Sequence, residues 1–339
     1  MTAQTAIALD LAGHPAYARV FQPGQLTIGF IAPLEGYPTA PWPTLAGHEE
    51  MVALVDTAGF AAIWLRDVPF YDPGFGDVGQ IIDPMVYAGW LAGKTRNVAI
   101  GTAGIVLPLR DPFAVAKQAT SIDQLSGGRF LLGLSTGDRP SEFKAFGRDI
   151  DTRAERYRDA LAIIKASTEQ AFATHRSTQH GELDGSLDLI PKPVGPRLPI
   201  LAIGRAGQTL DWIGENADGW IWHLSDPARL PDVLARWRQA TATQPFKPYG
   251  YGAMFDLLAD PTAPLQFARG GIRSGRNALI EMWKRQRDEG VNHVALNPKP
   301  LQRSFAEVAD ELATHVLPHF PTNAPMIAPS RARSETPSS

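Results

Sequence analysis

Residues 98–137 read VAIGTAGIVLPLRDPFAVAKQATSIDQLSGGRFLLGLSTG, and the fold turns on this stretch. Two bare apolar runs, Val98–Leu107 and Phe130–Ser135, flank one helical segment. A strand covered on both faces reads as a continuous apolar run, as parallel sheets produce. Asp111 stands where an N-cap is needed, Pro112 suits the first helical turn, and Ser126-Gly127-Gly128 stops the helix. The stretch is one βαβ unit. Its strand ends, Thr102-Ala103-Gly104 and Ser135-Thr136-Gly137, are small enough for a flat ligand to approach the backbone.

The same rhythm continues on both sides. Further strands are expected at Leu26–Ala32, Ala61–Leu65, Pro199–Gly204, Gly219–His223, Tyr249–Leu258 and Val291–Asn297, each followed by a helix. Thr44 is expected to cap the helix running to Thr57. Eight strands alternating with helices predict an α/β fold, a closed (β/α)8 TIM barrel. Residues 1–24 are expected as an N-terminal extension, 25–320 as the barrel domain, and 321–339 as a disordered tail of Pro, Ser, Ala and Arg. Residues 170–198 break the rhythm and are expected as an excursion after the fourth helix, with a hairpin as one form.

The 339 residues, 44% apolar and 20% charged, suffice for a large core. A net charge of −3 carries no nucleic-acid or membrane-surface footprint. With no cysteine, disulfides, zinc-thiolate sites and thiol nucleophiles are excluded. No run reaches the ~18 apolar residues of a membrane helix, and no basic-then-apolar leader opens the sequence, so a cytoplasmic protein is expected. The eight histidines are scattered without metal-ligand spacing, and no metal is expected. No G-x-S-x-G elbow is present. Where a chain offers neither nucleophile nor metal, its chemistry usually comes from a cofactor.

A barrel of this kind places its site at the C-terminal strand ends, which gives a list of candidates. Ile203-Gly204-Arg205-Ala206-Gly207 runs into a helix start, with Thr209 in the first turn. Backbone N–H groups, a helix end and one arginine there form a phosphate seat, or else an ordinary glycine-tightened βα turn. Arg66-Asp67 is either an active-site ion pair or a salt bridge fixing its loop. His223 is an acid, base or hydrogen-bonder, or a packed strand-end residue. Ser135 and Thr136 hydrogen-bond a cofactor or simply allow close packing. The basic segment 269–276 is a second phosphate site, or a helix start capped by Ser274.

The segment 101–137, together with EFKAFGRDIDTRAERYRDAL (142–161) and AIGRAGQTLDWIGENADGWIW (202–222), closely resembles the bacterial luciferase-like monooxygenase family over about residues 25–320. The resemblance implies a (β/α)8 barrel that uses reduced FMN, or a deazaflavin analogue, and in many members activates O2. It places Ala103-Gly104, just after Thr102, at a non-proline cis peptide beneath the flavin ring. It sets Ser135 and Thr136 beside the ring and the ribityl–phosphate arm, and Arg205, Ala206, Gly207 and Thr209 in the phosphate turn. The family's luminous members carry a histidine after the second strand; this chain has Arg66-Asp67 there. It is more similar to a non-luminous subgroup with W-x-R-D-V-P-F at that place. The resemblance implies an FMN monooxygenase acting on a small organic substrate, with Arg66, Asp67 and His223 as catalytic candidates. Loops 33–43 and 68–79 and the 170–198 excursion are expected to cover that substrate. A separate flavin reductase or NAD(P)H supplying electrons, and a homodimer, are also implied. The alternatives are a deazaflavin-dependent hydride-transfer enzyme, whose longer anionic tail segment 269–276 would suit, and a non-catalytic accessory barrel.

Overall fold

Each of the eight apolar runs forms a strand: β1 (Thr27–Ile31), β2 (Ala62–Leu65), β3 (Ala99–Thr102), β4 (Phe130–Ser135), β5 (Ile200–Ile203), β6 (Gly219–His223), β7 (Tyr249–Leu257) and β8 (His293–Asn297). A computed structural model describes residues 8, 10–224, 226–268 and 271–322. Every neighbouring pair from β1 to β8 is parallel, and β8 pairs with β1 (Thr27↔His293), so the sheet closes. Closure removes both sheet edges and leaves all the strands buried on two faces. The expected barrel is therefore the observed one. Among the described residues, no helix is long and apolar enough to cross a membrane.

Helix starts follow local chemistry where a cap is within reach. The helix Pro112–Ser126 has Asp111 accepting from the Ala114 N–H (2.9 Å), and Gly127 ends it with a left-handed φ of 67°. Ser304 caps Phe305–His315 in the same way. Two expected caps are corrected. The helix to Thr57 starts at His48 behind Gly47; the Thr44 hydroxyl instead donates to the Glu35 carboxylate (3.3 Å) and accepts from the Ala46 N–H (3.1 Å). Ser274 ends a short strand, Gly271–Ser274, that pairs with β7, and the next helix starts behind Gly275. The part of segment 269–276 that is described is thus a strand continuing into a helix. Arg269 and Gly270 lie outside the described residues.

The first residues do more than extend the chain. The helix Pro15–Val20 closes the N-terminal end of the barrel, where Tyr17, Val20 and Phe21 pack with Trp64, Ala99, Leu131 and Leu201 from the strands. The Tyr17 hydroxyl donates to the Asp218 carbonyl (2.9 Å) and the Arg19 guanidinium to the Phe60 carbonyl (2.8 Å). The excursion does contain a hairpin, Thr174–Ser177 with Gly181–Asp184. The segment after it lies across the outer helices: Gln124 donates to the Lys192 carbonyl and the Val194 N–H to Asp123. Of the tail expected at 321–339, residues 323–339 lie outside the described residues.

His293 is sealed inside the barrel, and its burial gives the fold's stability a pH dependence. Its Nε2 accepts from Trp64 Nε1 (2.8 Å), and its Nδ1 faces the Thr27 hydroxyl (2.8 Å), which itself donates to the Val20 carbonyl. Both nitrogens are engaged with the ring neutral. Burial pushes its pKa down to about 3. The unfolded chain takes up this proton near pH 6.5 and the folded chain does not, so stability is lost as pH falls below about 6.5. At pH 5 the loss is about 2 kcal/mol, at 1.36 kcal/mol per pH unit. Melting temperature against pH in wild type and His293→Gln checks this. The variant's acid slope should be shallower, and equal slopes would remove His293 from the account.

Candidate active site

At the C-terminal ends of the strands lies a cavity of about 560 Å³, within the usual range for small-molecule sites. Its floor is apolar: Ile31, Trp64, Ala103, Ile203, Ile221 and Ala295. One glycine decides that floor. A Cβ on Gly101 would fall on the Trp64 ring, so the indole lies flat across β3 only because residue 101 has no side chain. The wall brings together most of the residues singled out in the sequence: Arg66, Asp67, Ala103, Gly104, Ser135, Thr136, Arg205, Ala206 and His223.

Three candidates lie off the wall. Thr102 is buried beneath it, with its hydroxyl donating to the Gly133 carbonyl (2.7 Å) and accepting from the Gly133 N–H (2.8 Å). Gly207 packs towards Ala154 and Thr136. Thr209 caps Leu210–Asn216, its hydroxyl accepting from the Trp212 N–H (3.2 Å). The expected cis bond is also corrected: Ala32–Pro33 and Ile190–Pro191 are cis, and Ala103–Gly104 is trans. The chain bends at Ala103 with this bond trans: the Ala103 N–H donates to the Leu65 carbonyl (2.6 Å), and Ile105–Val106 pair with the end of β4. Trans is the ground state of such a bond.

Arg66 and Asp67 do not pair with each other. Successive residues leaving a strand point to opposite sides. Arg66 pairs with Asp77, and its backbone is clamped by the Gln80 side chain amide on both the N–H (2.9 Å) and the carbonyl (2.8 Å). Asp67 accepts from Arg110 Nε (2.8 Å) and Nη2 (2.6 Å) and from the Val106 N–H (2.9 Å). Arg110 also reaches Asp83 at 2.7 Å. Burial alone would raise the Asp77 carboxyl, but Arg66 above all, the Gly79 N–H and Arg139 hold it below the usual range.

The turn after β5 is shaped by left-handed residues: Gly204 (φ 68°), Ala206 (φ 49°) and Gly207 (φ 64°). Gly204 is fixed by its N–H donating to Ile221 and its carbonyl accepting from Trp220 Nε1 (2.6 Å). The N–H groups of Arg205, Ala206 and Gly207 meet no acceptor among the described residues. A Cβ on Gly204 would enter open space. Successive backbone N–H groups in left-handed turns form concavities of the kind that can accept an anion. Thr136 from the end of β4 lies against its Gly207. The Ser135 hydroxyl donates to the Gly104 carbonyl (3.2 Å) and so ties β4 to the chain after β3.

Three wall residues were missed in the sequence. Asp77 sits in a Pro- and Gly-rich loop with no periodicity to orient it. Trp222 reads as core, and lies half-buried beside His223 (ring centroids 5.0 Å). Glu142 had a legible signal: Pro140 opens a short helix just past β4, which sets Arg139 and Glu142 on one face at i,i+3 spacing. Burial lowers the His223 pKa, with Asp138 opposing. Of the segments expected over the site, loop 68–79 supplies Val68 and Asp77. No residue of 33–43 or 170–198 lines the cavity.

At the mouth of a closed parallel barrel, an apolar floor, small residues and the turn after β5 surround one cavity, the layout of an α/β-barrel enzyme site. The sequence profile described as luciferase-like monooxygenase matches residues 26–262, and the chain belongs to that family and is an enzyme. It is 29% identical over 297 residues to the 4-hydroxyprotoasukamycin monooxygenase of Streptomyces nodosus subsp. asukaensis, covering 85% of this chain and 77% of that protein. Among solved structures it is similar in fold to an F420-dependent secondary alcohol dehydrogenase in complex with an F420–acetone adduct (TM-score 0.70, 17% identity, 87% of this chain and 99% of that one). It is also similar in fold to the oxygenating constituent of 3,6-diketocamphane monooxygenase from Pseudomonas putida in complex with FMN (TM-score 0.65, 12% identity, 87% and 98%).

Proposed function

We propose that this enzyme is an FMN-using monooxygenase that transfers oxygen from O2 to a small organic substrate. The carrying observation is the turn 204–207, where three unpartnered N–H groups and Arg205 suit a terminal phosphate next to an apolar floor sized for a flat ring. A deazaflavin's longer anionic tail needs further free cations. Among the described residues of the basic segment, Arg273 is bound to Asp256 (3.1 Å) and Arg276 to Glu311 (2.7 Å).

In this reading Ala103, Gly104, Ile203 and Ile221 support the ring, Thr136 and Ser135 flank it, and Ala206 and Gly207 with Arg205 hold the phosphate. When bound, a reduced flavin would supply the electron pair for O2, with a separate reductase or NAD(P)H as the source of those electrons. Arg66, fixed by Asp77, presents a charge to the substrate. Asp67 is a positioning residue, engaged by Arg110 and the Val106 N–H, and it shapes the wall. His223 is a hydrogen-bond partner at the rim.

Replacing Arg205 with alanine tests the phosphate seat. A charge-assisted hydrogen bond contributes about 1.5–3 kcal/mol, so affinity for reduced FMN should fall roughly 10- to 100-fold. Anaerobic fluorescence titration measures this, and melting temperature should not move. Unchanged affinity would remove Arg205 from the site. Tight binding of a deazaflavin alone would replace FMN with the hydride-transfer alternative.

A further inference from the structure

We propose that Glu142 is the proton donor of this cavity, giving its carboxyl proton to an oxygen atom being reduced there. The proposal rests on the flavin reading above. Glu142 is 3% exposed and belongs to the cavity wall, and its Oε1 is sealed from solvent with no hydrogen-bond partner. A buried carboxylate is ordinarily satisfied by several donors, and an unpartnered ionised oxygen there costs several kcal/mol in order-of-magnitude terms. The neutral acid avoids that cost and keeps a proton to give.

The groups around it leave Glu142 in this role. Arg139 Nη1 lies 3.6 Å away, beyond hydrogen-bond reach. It is oriented elsewhere, donating to the Asp77 carbonyl (3.2 Å), lying 3.7 Å from the Asp77 carboxylate and stacking its guanidinium over Phe75 (4.9 Å). Asp67 and Asp77, the other buried acids of the wall, are each paired with an arginine. Asp138 is exposed to water. Burial raises the Glu142 pKa, Arg139 opposes without reversing the shift, and Asp67, Asp138 and Asp72 add to it.

The step balances as a proton transfer. The O–H bond of Glu142 breaks, and both its electrons stay on the carboxylate. An O–H bond forms on the oxygen that has received electrons from reduced flavin. Arg139, a short movement away, stabilises the new carboxylate, and water at the cavity mouth returns the proton. In the absence of substrate the net reaction is reduced FMN plus O2 giving oxidised FMN plus hydrogen peroxide, which needs only air and reduced FMN.

The test uses the full chain, wild type and Glu142→Gln, with Glu142→Asp as the conservative variant. Glutamate carboxyl carbons are labelled with 13C and titrated by NMR without flavin. The resonance that vanishes in E142Q is expected to titrate above the ordinary glutamate value of about 4.3. Air reoxidation of bound reduced FMN is then followed against pH. E142Q should be slowed roughly 100-fold and lose the pH inflection set by this group, while E142D keeps an inflection. A Glu142 carbon titrating in the ordinary range, or superimposable reoxidation profiles, overturns the proposal. Should reduced FMN fail to bind wild type, the flavin reading falls, while the NMR titration still decides whether Glu142 stays protonated. Should E142Q not fold, the wild-type and E142D titrations and profiles carry the same decision.

Discussion

Gly133→Ala is expected to abolish folding or to lower stability by at least about 3 kcal/mol, the upper end of ordinary overpacking costs. A Cβ on residue 133 would fall on the Thr102 carbonyl oxygen, with two Ile203 carbons at 3.0 Å behind it. None of these can retreat. Thr102 is held by two hydrogen bonds to Gly133 itself, at 2.7 and 2.8 Å, and all three residues belong to adjoining strands of the closed ring. A rotamer change cannot relieve a backbone clash, so the cost falls on β3, β4 and β5 together. Gly89→Ala is the control: it lies in the helix Pro84–Lys94, where an added Cβ meets nothing within 4 Å. That change should be neutral or gain about 0.5–1 kcal/mol. Thermal melts by circular dichroism distinguish the two. A Gly133→Ala protein melting with wild type would contradict the strand spacing described here.

Arg110→Ala is expected to cost about 3–5 kcal/mol, the range for removing one partner of a buried pair. The Asp67 side chain is 3% exposed and takes two of its three hydrogen bonds from this one guanidinium. Without Arg110 it keeps only the Val106 N–H. Asp83 suffers less, since it still caps its helix through the Met85 and Val86 N–H groups. Arg110→Lys should fall between, because an ammonium cannot reproduce the two-pronged contact. Adding Asp67→Asn to Arg110→Ala should recover part of the loss, since the stranded charge is then gone. Urea melts of the four proteins measure this. A loss below 1 kcal/mol for Arg110→Ala, or no recovery in the double variant, would show that Asp67 is not sealed as described. Flavin affinity should weaken with stability in Arg110→Ala, because Asp67 and Val106 both belong to the cavity wall.

The strands were legible because burial on both faces leaves an unbroken apolar run, and each run sat between turn residues. Helix ends were legible where the cap lies next to the helix, as at Asp111 and Gly127. They failed at Thr44 and Ser274, where a distant carboxylate and a neighbouring strand compete for the same groups. The adjacency of Arg66 and Asp67 suggested a pair, although strand geometry sends consecutive side chains apart. Glu142 was passed over because its i,i+3 spacing from Arg139 reads as an ordinary ion pair, and the burial of its carboxyl is set by tertiary packing.

What the sequence by itself determined is the alternation of eight strands and helices and the small residues at Thr102-Ala103-Gly104 and Ser135-Thr136-Gly137, since these depend on local period and residue size. Barrel closure decided what each of those residues meets. Thr102 turned inward to Gly133, Gly104 followed a bend through a trans bond, and Ser135 tied two strand ends together. Closure also set Asp67 against Arg110, 43 residues away, and left Glu142 in the wall with no partner for Oε1. Ion pairing and desolvation depend on distances in space, and the order of residues along the chain does not contain those distances.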